Sequence, residues 1–461
     1  MGATPSTRYY AASDTRPLAI VNTDNRLIAS AMRAAWEPIF NEWVSSVQRG
    51  FLKGRSMLAN IIEVDEAMMT ISIKHARGST VLFDFKAAFP SIDHEYLLKT
   101  LKHLGVPIHV LNAIRALYDQ VRCVVQFKGA NFGWFNVTAG IRQGCPLSPL
   151  LFAVVADLLL RRLTRLFPTS CIRAFADDIG GVFQNLPEEA SLLMETFREF
   201  GAISGLELNF PKTIVIPLWE DGIAEAKTLL KEADASWDLV SIQYHGIYLG
   251  FALGPDKLDK SWDKACSKFD HRVRLWCSQK QGLHISIYAY NVFAISILSF
   301  LSQLEVPPAR ALDAEKRALR KVACGPGNWI SSQDTWYLRE GYGQSKSCVC
   351  LADMAKAAQL RVAVNEKWNE LGPPLDVRAL RLDRLLNETN YAGRRHRWRE
   401  WWSRSIVITL QKNIDDLAKD GITISSIQRS IVGKMSSADE DKRKCQTRIK
   451  DSFQREAYER I

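Results

Sequence analysis

No two of the nine cysteines form a CxxC pair, and the only close pair is Cys348-Val349-Cys350. That excludes a zinc ribbon, finger or knuckle, and an odd, scattered set fits reduced thiols better than a disulfide framework. The first residues lack a charged-then-apolar leader, and Gly2 with Ser6 matches the myristoylation pattern too loosely to count. Long apolar runs are also scarce. The longest, from about Leu283 to Leu304, is interrupted by His284, Asn291 and several serines, and reads as a buried helix rather than a membrane span. There is no internal repeat and no low-complexity tract. The expectation is a soluble protein inside the cell, in nucleus or cytoplasm, with no membrane attachment.

Acidic residues are in deficit, 50 against 60 Lys and Arg, which leaves a net charge of +10 and a pI near 9.1. Such a balance favours a polyanionic partner such as nucleic acid. With 461 residues, 47% hydrophobic and 24% charged, the chain is globular and long enough for about three domains.

Three carboxylates then stand out: Asp84 in Val81-Leu82-Phe83-Asp84-Phe85, and Asp177-Asp178 after Ala174-Phe175-Ala176. Each lies in a short apolar run that reads as a strand, where a charge is costly to bury unless it binds a cation. Paired carboxylates of this kind suit two divalent metals about 3.5–4 Å apart, and hence phosphoryl or nucleotidyl transfer. Asp-Asp between apolar stretches is also ordinary hairpin-turn chemistry, so the motif needs support from its surroundings.

Helical spacing predicts helices near 24–48 and over Met57–His75, the latter opened by Ser56. Between them runs the glycine-flanked basic loop Gln48-Arg49-Gly50-Phe51-Leu52-Lys53-Gly54-Arg55. Asp93 and Gly105 bracket a helix from His94 to Leu104, and another follows at about Val110–Tyr118. Strands are expected at Val121–Phe127, Trp134–Val137, around the Asp177 turn, at 206–218 and at 244–253. Helices are expected from Ser148-Pro149 to Leu166 and at Pro187–Ile203. Strands and helices interleave without a regular βαβ repeat, so the fold class is α+β. Beyond Gly254, Lys257, Lys260, Lys264, Lys268 and Arg272 recur at helical spacing, either as a solvated face or as a cationic stripe for a phosphate backbone. Near the C-terminus Arg394-Arg395-His396-Arg397-Trp398-Arg399-Glu400-Trp401-Trp402 mixes cations and aromatics, fitting a stacking platform or a helix core equally.

In this order the blocks resemble the reverse transcriptase domain of non-LTR (LINE-type) retrotransposons, and more distantly that of group II introns. The likeness runs from about Arg16 to Gly254. Arg16-Pro17-Leu18 through Asn22, and Gly50 to Ser56, resemble the finger blocks. Phe83-Asp84-Phe85-Lys86-Ala87-Ala88-Phe89 resembles the first palm motif, Gly140-Ile141-Arg142-Gln143-Gly144-Cys145-Pro146-Leu147-Ser148-Pro149 the second, and Phe175-Ala176-Asp177-Asp178 the third. Gly205-Leu206-Glu207-Leu208-Asn209 with Lys212, and Tyr248-Leu249-Gly250, resemble the fourth and fifth.

The resemblance implies a right-hand polymerase. Its parts would be fingers over 1–80, with a ragged first 15 residues; an antiparallel, ferredoxin-like palm over 81–254 with inserted finger elements; a helical thumb over 255–330; and a basic helical region over 331–461. It implies RNA-directed DNA synthesis, adding dNTPs to a primer 3′-hydroxyl on an RNA template. Asp84, Asp177 and Asp178, with the Phe85 carbonyl, would hold two Mg²⁺ ions, or Mn²⁺ in their place. Phe89 would exclude the ribose 2′-hydroxyl. Gln143 and Gly144 would contact nucleotide and template. Lys53 or Arg55 would pair with the triphosphate, and Lys212 would serve the leaving pyrophosphate. Tyr248, Leu249 and Gly250 would begin a grip on the primer, which Lys257, Lys260, Lys264, Lys268 and Arg272 would extend.

No endonuclease, zinc knuckle or restriction-like nuclease motif accompanies these blocks. The expectation is therefore a fragment, a degraded copy or a detached polymerase whose endonuclease is supplied elsewhere. Lys442-Arg443-Lys444 is too short to count as an import signal. The competing expectation is a catalytically dead, domesticated RNA-binding protein derived from such an element, and a third is an RNA-templated RNA polymerase.

Overall fold

The computed structural model describes residues 20–327, 329–363, 373–391 and 398–419. The first 15 residues, the Arg16-Pro17-Leu18 block, the cations Arg394 to Arg397 and the run Lys442–Lys444 lie outside the described residues. The chain forms two compact units, each assembled from several segments. Among the described residues, the first is drawn from the ranges 1–60, 81–214 and 225–241, and the second from 61–80, 215–224 and 242–461.

Helix α1 (Thr23–Trp43), in the first unit, precedes the basic loop, and α2 (Met57–Lys74), most of which falls in the second unit, starts where the loop ends. Strand β1 (Ser79–Phe83) is buried throughout and stops one residue short of Asp84. A single helical turn, α3 (Ala88–Ser91), follows. The Asp93 carboxylate then accepts from the Tyr96 N–H at 2.7 Å and starts α4 (His94–His103), while Gly105, at φ +77°, supplies the left-handed residue beyond its end. Helix α5 (Ile108–Tyr118) leads into the antiparallel ribbon β2 (Arg122–Phe127) and β3 (Ala130–Asn136), which is largely exposed. Helix α6 (Ser148–Leu166) has Pro149 in its first turn and buries Leu150, Leu151, Phe152, Val154, Val155, Leu159, Leu160 and Leu163. Apolar residues on nearly all sides make it a core helix of this unit.

Strands β4 (Cys171–Phe175) and β5 (Asp178–Phe183) form a hairpin in which Phe175 pairs with Asp178. After α7 (Leu186–Ser204) come β6 (Ile214–Pro217), α8 (Gly222–Ala233) and β7 (Ser241–Ile242), whose residues are divided between the two units. The sheet order is β4-β5-β1-β6-β7. Gln48 adds a parallel bridge to Ala174 at the outer edge of β4. The α+β class expected from the interleaved elements is the one observed.

Of the strand expected over 206–218, only Ile214–Pro217 forms; Pro211 has no N–H to offer a ladder and sits in a tight turn over Phe210–Lys212. Helix α8, over 222–233, was not anticipated.

In the second unit, β8 (Gly246–Tyr248) and β9 (Phe251–Leu253) form a hairpin closed by Leu249 and Gly250, both at positive φ (+49° and +89°), as a type I′ turn requires. Helix α9 (Ser261–Cys277) buries Trp262, Phe269 and Val273. Glu305 accepts from Ser261 Oγ at 2.8 Å and Trp262 Nε1 at 2.7 Å, fixing the start of the helix. The apolar stretch Gly282–Ser299 is long and apolar enough to cross a membrane, by length and composition. The buried helix expected there is buried along one side only. A π-turn at Tyr290–Ala294 interrupts it, Ile287, Tyr290, Ala294 and Leu298 face inward, and Tyr288 and Val292 are exposed. Trp398, Trp401 and Trp402 are buried, and Trp402 Nε1 donates to Ser72 Oγ at 3.0 Å. They are helix core rather than a stacking platform.

Candidate active site

The hairpin between β4 and β5 has only two central residues, Ala176 and Asp177. Ala176 is left-handed at φ +59° and Asp177 is not, the sign pattern of a type II′ turn, whose first central position glycine usually fills. An alanine there costs about 1–2 kcal/mol that its surroundings must offset. Gln48 does so. Fully buried, its side-chain oxygen accepts from the N–H groups of Gly50 and Ala176, both at 2.8 Å, and its amide donates to the Ala176 carbonyl at 3.0 Å. Arg49 N–H donates to the Ala174 carbonyl at 2.8 Å, so residues 47–50 lie along β4 as an added edge. A Cβ on Gly50 would stand 2.1 Å from the Ala176 nitrogen, a distance only glycine tolerates.

Asp84 lies just past the end of β1. Its N–H lies 3.4 Å from Thr213 Oγ1, and its carbonyl accepts from Asn209 N–H at 2.7 Å. Phe85 pairs with Leu208 in an isolated antiparallel bridge whose bonds fall on either side, Lys86 N–H to Glu207 O and Asn209 N–H to Asp84 O. Phe85 therefore turns its own carbonyl away from that segment. Asp84 and Asp177 are half-buried and Asp178 is exposed, so the carboxylates cap strand ends rather than sitting inside strands. That corrects the expected burial: a charge at the mouth of a sheet keeps its hydration, one within the sheet does not.

Asp178 senses both of the other acids. Crowding of its carboxyl by protein atoms, then the charges of Asp177 and Asp84, push Asp178 up to about 6. The residue as a whole is open to solvent, which weakens that effect. Among the described residues, no three His, Cys, Asp or Glu side chains stand close enough together to hold a metal ion as placed. The acids are thus an open set, near enough to repel and not gathered into a cage. Like-charged hard oxygens of this kind fit a divalent cation, which would relieve the repulsion.

Around them, Phe89 is half-buried, stacked on Phe152 at 4.8 Å between centroids and edge-on to Phe51 at 6.0 Å. The Gly140 block docks on the same segment: Gly140 N–H donates to Ile92 O at 2.7 Å and Ile141 N–H to Phe89 O at 2.8 Å. Gly140, at φ +89°, has no room for a Cβ against the Pro90 backbone. Gln143 and Gly144 are exposed, with Gly144 at φ +81°. Lys212 is exposed in the turn that follows Asn209.

Lys53 and Arg55 separate clearly. Lys53 is exposed. Arg55 gives its guanidinium to four backbone carbonyls, those of Ser45 and Gln48 through Nη1 and of Asn41 and Val44 through Nη2. Burial lowers its pKa, partly offset by Asp157. It caps the exit of α1, and its fork is not free for a triphosphate.

In the second unit, the expected stripe is broken. Lys257 is 4% exposed and its ammonium pairs with Asp65 at 3.2 Å. A lysine held there cannot touch a phosphate backbone. Lys260 precedes α9 and points to the His245 ring at 3.1 Å, while Lys264 and Lys268 are exposed and Arg272 is half-buried. Tyr248 is buried, Leu249 half-buried and Gly250 exposed at the hairpin tip. Sequence reasoning missed Gln48, Thr213 and the backbone role of Asn209. Neutral side chains and main-chain groups that serve other residues' backbones carry no chemical signature in a sequence.

Residues 6–253 match the family model for reverse transcriptase (RNA-dependent DNA polymerase). The chain belongs to the reverse transcriptase family. The chain is 25% identical over 248 residues to a 149 kDa protein of transposon TX1 from Xenopus laevis, a match covering 51% of the chain and 18% of that relative. It is 28% identical over 209 residues to the Pol polyprotein of the type-2 retrotransposable element R2DM from Drosophila melanogaster, covering 43% and 19%. Such curated relatives are non-LTR retrotransposon polyproteins, and the chain matches less than one fifth of the length of these two. Among solved structures, apo telomerase from Candida tropicalis aligns with a TM-score of 0.39 at 10% identity, over 66% of this chain and 52% of that one.

Proposed function

We propose that the chain is an RNA-directed DNA polymerase of non-LTR retrotransposon type, adding dNTPs to the 3′-hydroxyl of a DNA primer annealed to RNA. The observation that carries this reading is the convergence of Asp84, Asp177 and Asp178 at adjoining strand ends, where the first two charges act on the Asp178 carboxyl. Members of this family generally use divalent metal ions. Here Asp84, Asp177 and Asp178, with the Phe85 carbonyl, would hold two Mg²⁺ ions, or Mn²⁺ in their place. When bound, these ions supply an acidified primer hydroxyl and charge neutralisation on the triphosphate.

The chain's own residues supply position and exclusion. The Phe89 ring, braced by Phe152 and Phe51, occupies a fixed place at the site, suited to rejecting a 2′-hydroxyl. Gln143 offers an exposed amide for nucleotide and template, and Gly144 permits close backbone approach. Lys53 is the cation for the triphosphate, since Arg55 is committed to carbonyls. Lys212 is the cation for the departing pyrophosphate. Gly250 and the exposed Lys264 and Lys268 of α9 support a grip on the duplex backbone, without reading its sequence. We place the protein inside the cell, and an endonuclease supplied elsewhere would complete an insertion reaction.

Primer extension on an RNA template with dNTPs and Mg²⁺ tests the reading. Product from the wild-type chain and a loss of about 10³-fold or more in Asp177→Ala, with RNA binding retained, are expected. RNA binding without extension would identify the domesticated binder instead. Phe89→Ala should increase ribonucleotide incorporation; no change would remove that residue from the gate.

A further inference from the structure

The loop 48–55 is fastened at both ends. At its start, Gln48 accepts from the Ala176 N–H and donates to the Ala176 carbonyl, and Gly50 packs against the Ala176 nitrogen. At its end, Arg55 holds the last carbonyls of α1 together with the Gln48 carbonyl at 2.6 Å. Lys53 stands exposed between the two fastenings. Ala176 immediately precedes Asp177 and occupies a left-handed conformation that alanine does not favour. Two other left-handed non-glycine residues adjoin the same site, Phe51 at φ +64° and Ala87 at φ +44°. Off-minimum backbone gathered at one place is a mark of a geometry held for use.

We propose that Gln48 is a positioning residue of this polymerase. Its amide sets the backbone from which Asp177 and Asp178 project, and ties that backbone to the loop carrying Lys53. The proposal rests on the polymerase reading and adds a residue that touches neither nucleotide nor metal. The side chain is fully buried and all three of its bonds go to backbone at the turn or in its own loop. Without it, the hairpin keeps its β4–β5 ladder but the turn is free to leave the left-handed state. The acids would then move by about an ångström relative to Lys53, a displacement that costs about 10²-fold in rate.

The test uses the full chain and the variant Gln48→Met, which preserves volume and removes the three bonds. Hydrogen exchange is followed at the amides of Ala176, Asp177 and Asp178, and steady-state extension on an RNA template is measured as a function of dNTP. Expected is at least about tenfold faster exchange at these amides, with the other β4 and β5 amides unchanged. The turnover number should fall about 10²-fold while the KM for dNTP stays within about threefold. Gly50→Ala should reproduce the split, since a Cβ there collides with the Ala176 nitrogen. If Gln48→Met does not fold, Gln48→Glu serves, because it keeps the acceptor and loses the donor to the Ala176 carbonyl. Unchanged exchange, or a folded variant within threefold of wild-type turnover, overturns the proposal, as does a loss confined to KM. A wild-type chain that adds no nucleotide overturns the polymerase reading instead, and exchange alone then decides whether Gln48 holds the turn.

Discussion

The acidic triad in the first unit and the lysine of the second that opens the basic series invert what their sequence surroundings suggest. Asp84, Asp177 and Asp178 come from apolar runs, yet they sit at strand ends and keep access to water. Lys257 comes from a polar, basic stretch, yet it is buried against Asp65, which also accepts from the Ile406 N–H at 3.0 Å. A charge is left in the open where strands stop, and drawn inside where an opposite charge and a backbone donor complete it. Local composition reports which residues are charged. It does not report which of them finds a partner.

The largest effect that sharpens this contrast lies at Lys257. Lys257→Ala should destabilise the protein by about 3–5 kcal/mol in urea unfolding, because it strands Asp65 in the interior. A loss under about 1 kcal/mol would show that the pair is solvated and the contrast false. Next comes Glu315, 2% exposed, which accepts from the Leu351 N–H at 2.7 Å and is pushed up to about 7, chiefly by burial. Its folded pKa exceeds the ordinary 4.5, so between about pH 4.5 and 7 the native state holds a proton that the unfolded state has lost. Stability should therefore fall as pH rises through that window, by up to about 3 kcal/mol, and Glu315→Gln should flatten that part of the profile. An unchanged slope in the variant would locate the titration elsewhere.

Arg55 and Lys53 make a smaller comparison within one loop. Arg55→Ala should cost about 2 kcal/mol by unsatisfying carbonyls of Asn41, Val44, Ser45 and Gln48. Lys53→Ala should leave stability within about 0.5 kcal/mol and raise the KM for dNTP. Equal stability losses in the two would erase the distinction. The smallest stability effect is expected at Lys264 and Lys268. Each alanine variant should change stability by less than about 0.5 kcal/mol, yet reduce the salt slope of RNA–DNA binding by about 1. An unchanged slope would make them solvated surface charges.

Much of the first unit was legible from local rules. Asp93 and Gly105 set the ends of α4, Pro149 the start of α6, and the Asp177 turn its two strands, because capping and turn chemistry act over a few residues. The tryptophans at 398, 401 and 402 were ambiguous, because the spacing of a core face and of a stacking face is the same. Whether Lys53 or Arg55 meets a triphosphate was equally undecidable, since both are cations on one glycine-flanked loop. The carbonyls that claim Arg55 belong to α1 and its exit, and only folding brings them round the guanidinium.

The sequence by itself determined the family, the α+β class and the identity of the three acids, because these depend on residue type, order and short-range spacing. Tertiary structure alone decided that Gln48 holds the acidic turn, that Arg55 is a cap and that Lys257 is buried. Each of those outcomes depends on a backbone group or countercharge from a distant or separate segment, 128 residues away for Gln48 and 192 for Lys257. A hydrogen bond or an ion pair exists only once both ends are in place, and no pattern along the chain encodes the second end.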